Sequence, residues 1–184
     1  MSSSEEGASR RVWDRAVRLL HGSLIALVAA AWFTRDLRGP WHEWLGYGVA
    51  AVVAVRIAWG FLGGRHARFA DFLRGPAATS TYARAVLAGR APRYLGHNPL
   101  GGWMVLALLG TLAALCLSGW LFTTDWLWGY AWLANTHAAL AYLLLGLVAL
   151  HVAGVLVTSR HQRENLVRAM VDGRKRAPAP VDEG

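Results

Sequence analysis

Apolar and polar positions fall along this chain in long blocks rather than at the spacing of a half-buried helix or strand. Four apolar blocks cover about 17–33, 41–62, 102–122 and 131–157, with polar, basic or glycine-rich sequence between them. About 20 apolar residues coiled as a helix match the hydrocarbon thickness of a bilayer. Inside lipid the backbone must satisfy its own hydrogen bonds, which leaves the helix as the spanning form for such a block. The pattern therefore predicts four membrane-spanning helices. The first, VRLLHGSLIALVAAAWF, is short, but Trp32 and Phe33 suit the interface at one end and arginines can snorkel at the other. The fourth contains ALAYLLLGLVALHVAGVLV, which has no charged residue.

The segments between the blocks have their own pattern. In residues 63–99, Phe69, Phe72, Leu73, Tyr82, Val86 and Leu87 are interleaved with Arg65, Arg68, Arg74, Arg84 and Arg90. This predicts one or two amphipathic helices lying on the membrane surface. Asn98 suits the N-cap of the third span and Pro99 its first helical position. After Thr158, SRHQRENLVRAMVDG predicts a separate short amphipathic helix, with Ser159 and Gln162 as a capping box and Gly173 as its stop. Residues 1–12 and the tail RKRAPAPVDEG, above all 177–184, are expected to be disordered, leaving one domain over 13–176. The fold class expected is all-α: an integral membrane four-helix bundle with short cytoplasmic amphipathic helices.

Composition agrees with a membrane protein. With 55% hydrophobic residues, a mean hydropathy of +0.30 and ten tryptophans in 184 residues, the chain is too apolar for an ordinary soluble domain. The net charge of +8 is a topology signal. The N-terminal flank through Arg18 has four arginines, six lie in residues 63–99 and six lysines and arginines follow Val157, whereas the first connection has two and the third none. The positive-inside bias then puts both termini and residues 63–99 in the cytoplasm, and nucleic-acid binding is a poor account of the charge. The N-terminal sequence does not read as a cleavable signal. Cys116 is the lone cysteine, so there is no disulfide framework, no thiolate cluster and no Cys-x-x-Cys-His for covalent haem. In an apolar run it reads as a small core hydrophobe.

Histidines in spans are costly and point to function. His137 and His151 are 14 residues apart. At 100° per residue this is about 40° short of four turns, which puts both rings on nearly one face and roughly 21 Å apart along the axis. The topology places His42 on the outer side with His137, and His21 on the inner side with His151. Two level-matched imidazole pairs suit bis-histidine ligation of two haems b, one above the other. Zinc or copper would need further ligands, and neither level offers carboxylates or thiolates. Two axial imidazoles complete a six-coordinate haem and favour electron transfer over oxygen chemistry. Any one of these histidines alone reads more simply as an interfacial residue; the two matched pairs carry the argument. Arg56 and Arg18 lie near the inner boundary, where either could bond a haem propionate, with plain snorkelling the better account of Arg18. His97 reads as a loop residue that could also contact a propionate or a quinone. His66 and His161, among arginines, read as solvated. Gly46 and Gly48 leave room for a planar ligand or for close helix packing.

WDRAVRLLHG, WHEWLGYG, RIAWGF and THAALAYLLLGLVALHV at the spans, with RFADFLRGP, GHNPLGG and HQRENLVRAMVDGRKR between and after them, resemble the bacterial cytochrome b561 family. That family includes the cytochrome b subunits of nickel–iron hydrogenases and of related dehydrogenases. The resemblance covers roughly residues 12–176. It implies two haems b, held by His21 with His151 and by His42 with His137, in a protein of the bacterial inner membrane. The function expected is electron transfer between the quinone pool and a redox partner such as a dehydrogenase, a hydrogenase or a c-type cytochrome. The other readings are a stand-alone quinone oxidoreductase of a small reductant such as superoxide, and a haem-free transport or assembly protein. The absence of an Asp or Glu deeper in the spans than Glu43, at the entrance of the second, weighs against the last.

Overall fold

The computed structural model describes residues 9–176. In chain order its elements are β1 (Ser9–Arg11), α1 (Arg15–Thr34), α2 (Trp41–Leu62), α3 (Phe69–Phe72), α4 (Pro76–Leu87), α5 (Pro99–Phe122), α6 (Ala131–His161), α7 (Leu166–Asp172) and β2 (Arg174–Arg176). Residues 1–8 and 177–184, where the sequence predicts disordered ends, lie outside the described residues. The four long helices α1, α2, α5 and α6 are each long and apolar enough to cross a membrane.

In lipid, helices associate through packing and hydrogen bonds rather than by leaving water. Here α1 packs on α2, α2 on α5 and α5 on α6. The central cluster is Val49 and Val53 of α2, Leu112 of α5 and Leu144 of α6, with Leu24, Leu27 and Val28 of α1 against it. Gly48 serves this packing, since a Cβ there would lie 3.4 Å from a Leu27 methyl. Between α1 and α6 the rings of Trp32 and Tyr142 meet edge to face at 6.0 Å. At the end of the bundle holding the short connections, Trp41, Trp44, Trp126, Trp128 and Trp132 are exposed, as an interfacial aromatic belt would be.

Local chemistry fixes the helix starts. The Asp14 carboxylate caps α1 by accepting from Val17 N at 2.7 Å and also accepts from Trp59 Nε1 at 3.1 Å, tying the start of α1 to the end of α2. Asn98 caps α5 through Gly101 N at 2.7 Å, with Pro99 in the first helical position. The basic segment forms two short helices, α3 and α4. Phe69 of α3 lies where a Cβ on Gly60 would sit, and a Cβ on Gly102 would be 3.0 Å from Phe72 O. Only glycine lets these elements approach.

The terminal end of the bundle departs from the sequence-based expectation. Ser9–Arg11 and Arg174–Arg176, read from the sequence as disordered, form an antiparallel pair in which Arg10 faces Lys175. Three-residue strands are marginal by themselves, and tertiary contacts support these. Gly173 O accepts from Val12 N at 2.9 Å and Trp13 N at 3.2 Å, while Val12, Trp13, Val17 and Ala67 form a second buried cluster. The C-terminal helix also begins later than predicted. α6 continues to His161, and α7 starts at Leu166, capped by Asn165 through Arg168 N at 2.8 Å. Ser159 instead accepts from Leu166 N at 3.2 Å across the turn, so it bridges the two helices and the proposed capping box does not form. Gly173 ends α7 in the left-handed region at φ 77°.

Candidate functional site

The bundle brings the four span histidines together in two pairs. The His21 and His151 ring centres are 6.5 Å apart, near the terminal end, and those of His42 and His137 are 6.1 Å apart, near the end with the short connections. α6 contributes one histidine to each pair, and Leu144, midway between them in sequence, packs into the central cluster that separates the levels. A cavity of about 2490 Å³ is lined by all four. Ordinary small-molecule pockets are about 300–1,000 Å³, so this one has room for more than one bulky group.

The hydrogen bonds select which ring nitrogen is left free. His42 Nδ1 lies 2.9 Å from Ala31 O, which can only accept, so Nδ1 carries the proton. His137 Nδ1 lies 2.9 Å from Ser118 Oγ, which is itself 3.0 Å from Leu115 O. That carbonyl takes the hydroxyl proton and leaves Oγ to accept from His137 Nδ1–H. Both Nε2 atoms then keep a lone pair, the state a metal requires, with ring orientation fixed by a supporting partner. The separation also fits. A metal–imidazole bond of about 2.0 Å and about 1.1 Å from nitrogen to ring centre would put two imidazoles on opposite sides of one metal about 6.2 Å apart, centre to centre.

The donor set and the space around it suit a planar group with two axial ligands. Among the described residues no three His, Cys, Asp or Glu side chains gather as a metal site, so each histidine pair stands as a pair. Gly22, Gly46 and Gly154 line the cavity, and a Cβ at any of them would meet nothing within 4 Å. Gly46 thus takes the spacious role expected of it, whereas Gly48 takes the packing role. Gly119 lies against a ligand candidate, since a Cβ there would sit 3.1 Å from His137 Cε1.

The terminal end of the cavity is polar. Arg56 is 6% exposed; its Nη2 reaches Ala67 O at 3.5 Å and its Nη1 is buried without a partner. A buried guanidinium with a spare donor fits a carboxylate of a haem. Arg18 behaves otherwise, donating to the Met170 and Val171 carbonyls at the end of α7. His97 is held between Trp13 and Phe72, ring centres 4.7 and 4.6 Å away, and its Nδ1 is buried without a partner. Burial, and then the charges of Arg56 and Lys175, lower its basicity to about 3, so it is neutral. His161 is exposed, as expected. His66 is half-buried rather than solvated, with its basicity lowered by burial and then by Arg65. Sequence reasoning missed Ser118 and Lys175. A serine in an apolar span was a usable signal for the first; nothing in the tail RKRAPAPVDEG marked the second.

A profile of the family described as prokaryotic cytochrome b561 matches residues 12–173, nearly the whole described structure. The chain belongs to the prokaryotic cytochrome b561 family. As a member it is a membrane b-type cytochrome, a helical electron-transfer protein that binds haem b. Comparison with curated proteins and with solved structures finds no match. Within the family, the two histidine pairs and the cavity between them are the features of this cytochrome that suit haem.

Proposed function

We propose that this cytochrome carries two haems b, one held by His21 and His151 and the other by His42 and His137, and passes electrons between the quinone pool and a redox partner protein. The observation that carries the reading is the pair of facing imidazole sets, with ring centres 6.5 and 6.1 Å apart and the Nδ1 of His42 and His137 already engaged. Haem b with two axial imidazoles supplies one-electron transfer without an open position for oxygen.

The protein contributes placement and environment. α6 spaces the two levels about 21 Å apart along its axis by the helical rise, and the Val49, Val53, Leu112 and Leu144 cluster fills the interval with apolar side chains. Ala31 and Ser118 hold two of the imidazoles in the ligating tautomer. Arg56 presents its spare donor to a propionate of the haem at the terminal end. The distribution of lysine and arginine supports the bacterial inner membrane with both termini cytoplasmic, which makes His21–His151 the inner pair and His42–His137 the outer pair. The outer connections are too short to carry a substantial soluble domain, so one on the outer side would belong to the partner, which could be a dehydrogenase, a hydrogenase or a c-type cytochrome.

The test is a quantified dithionite-reduced minus oxidised haem spectrum of the detergent-purified chain, repeated for His42→Ala and His151→Ala. Two low-spin haems b per chain, with one lost in each variant, are expected. A chain expressed with ample haem that carries none would refute the reading, and two bis-histidine haems remaining in His42→Ala would refute the outer pairing.

A further inference from the structure

The terminal end of the cavity is lined by two buried cations, neither of which has an ion pair with a carboxylate among the described residues. Lys175 is 5% exposed and lines the cavity, with Nζ donating to Tyr94 O at 3.2 Å. Arg56 lines the same space with Nη1 unpartnered. Trp13 meets the His97 ring at 4.7 Å and donates from its N to Gly173 O, next to β2, while Arg18, one turn before His21, donates to Met170 O; this group therefore lies at the end of the bundle that holds the inner histidine pair.

The nearby acids are already engaged. Glu164 is close enough to favour the Lys175 charge, but its oxygens accept from Arg93 at 3.0 Å and from Arg176 N at 2.7 Å. Asp14, whose charge favours that of Arg56, accepts from Val17 N and Trp59 Nε1. Among the described residues neither Arg56 nor Lys175 has an ion pair with a carboxylate. Buried cations are paired or they lose charge. Burial does lower Lys175, to about 8, which leaves it largely charged at neutral pH. Two cations with unused donors, beside a histidine pair, call for a ligand with two negative charges.

We infer that Lys175, carried into the bundle on β2, forms with Arg56 a two-cation cradle for the propionate carboxylates of the inner haem. The inference rests on the proposed haem at His21 and His151. It makes the C-terminal strand part of the cofactor site and gives the strand pair a purpose: Arg10 faces Lys175 in register, and Gly173 O fixes the start of β2 through Val12 N and Trp13 N. Charge beside the propionates sets how far the protein favours the ferrous over the ferric state, because the ferric haem carries one more positive charge. Lys175 therefore raises the inner potential and leaves the outer one, at the far end of α6, unchanged.

The test is a redox titration of the purified, haem-loaded chain and its Lys175→Met and Lys175→Arg variants, with the two waves assigned by His42→Ala and His151→Ala. Lys175→Met is expected to lower the ferrous-to-ferric ratio of the inner haem at a fixed potential about tenfold, which is 59 mV for one electron. The outer wave stays in place, and Lys175→Arg restores most of the inner shift. A purely structural lysine would instead leave both potentials unchanged or weaken both haems together, and either result overturns the inference. An inner potential shifted equally by Arg and Met also overturns it. Lipid phosphate as the anion gives a third pattern, in which Lys175→Met leaves both haem waves alone but loses phospholipid from the purified protein; that too overturns the assignment. A parent chain with no haem removes the reading beneath it, a result distinct from all of these.

Discussion

Ser118→Ala isolates the supporting hydrogen bond of one candidate ligand. The substitution deletes a single oxygen from a side chain that is 6% exposed, and its other partner is a carbonyl of the same helix, so the backbone has no reason to move. What is lost is the acceptor for His137 Nδ1–H. A buried N–H left without a partner costs about 1–3 kcal/mol. Removing a supporting partner of a metal-bound histidine weakens the metal typically about 10–100-fold, which at about 1.4 kcal/mol per tenfold is about 1.4–2.8 kcal/mol. The two estimates agree. Titrating the haem-depleted protein with haem should therefore show the outer site about 10–100-fold weaker and the inner site unchanged. The outer potential should rise, since a hydrogen-bonded imidazole donates more strongly and favours ferric iron. Unchanged outer affinity and potential would refute the assignment of His137 Nδ1 as the supported nitrogen, and equal losses at both sites would show that Ser118 acts on the bundle rather than on His137.

Two further predictions follow from the same structure. In Gly119→Val the added Cβ would lie 3.1 Å from His137 Cε1, so the ring must give by a few tenths of an ångström and the two methyl groups crowd it further; pyridine haemochrome analysis should find less outer haem per chain, with the inner haem retained. The folded protein holds a proton on His97 only near pH 3, whereas the unfolded chain holds it near the ordinary 6.5. Between those values the unfolded state binds more protons, so stability is intact above about 6.5 and falls on acidification by up to about 1.4 kcal/mol per pH unit. Thermal unfolding in detergent from pH 7 to 4 should show this slope, and His97→Phe should flatten it; an equally steep limb in the variant would place the titration elsewhere.

The sequence alone determined the four helices, because length and apolarity suffice to define a span and a helix must satisfy its own backbone in lipid. It also determined which histidines are level, because helical rise and the alternation of direction are fixed by the chain itself. It marked Asn98 and Pro99 as the start of α5, since capping depends on adjacent residues. It could not reveal that Ser118 supports His137, because the rotation of α5 against α6 decides which way a lone hydroxyl points. Gly46 and Gly48 looked alike in sequence, and only packing assigned one to open space and the other to Leu27. The terminal strands were the least legible feature. RKR reads as a solvated basic tail, and only tertiary contacts from Val12, Trp13 and Tyr94 order it and turn Lys175 inward. Local pattern fixed what is set by distance along the chain, and long-range packing decided where each polar atom finds its partner.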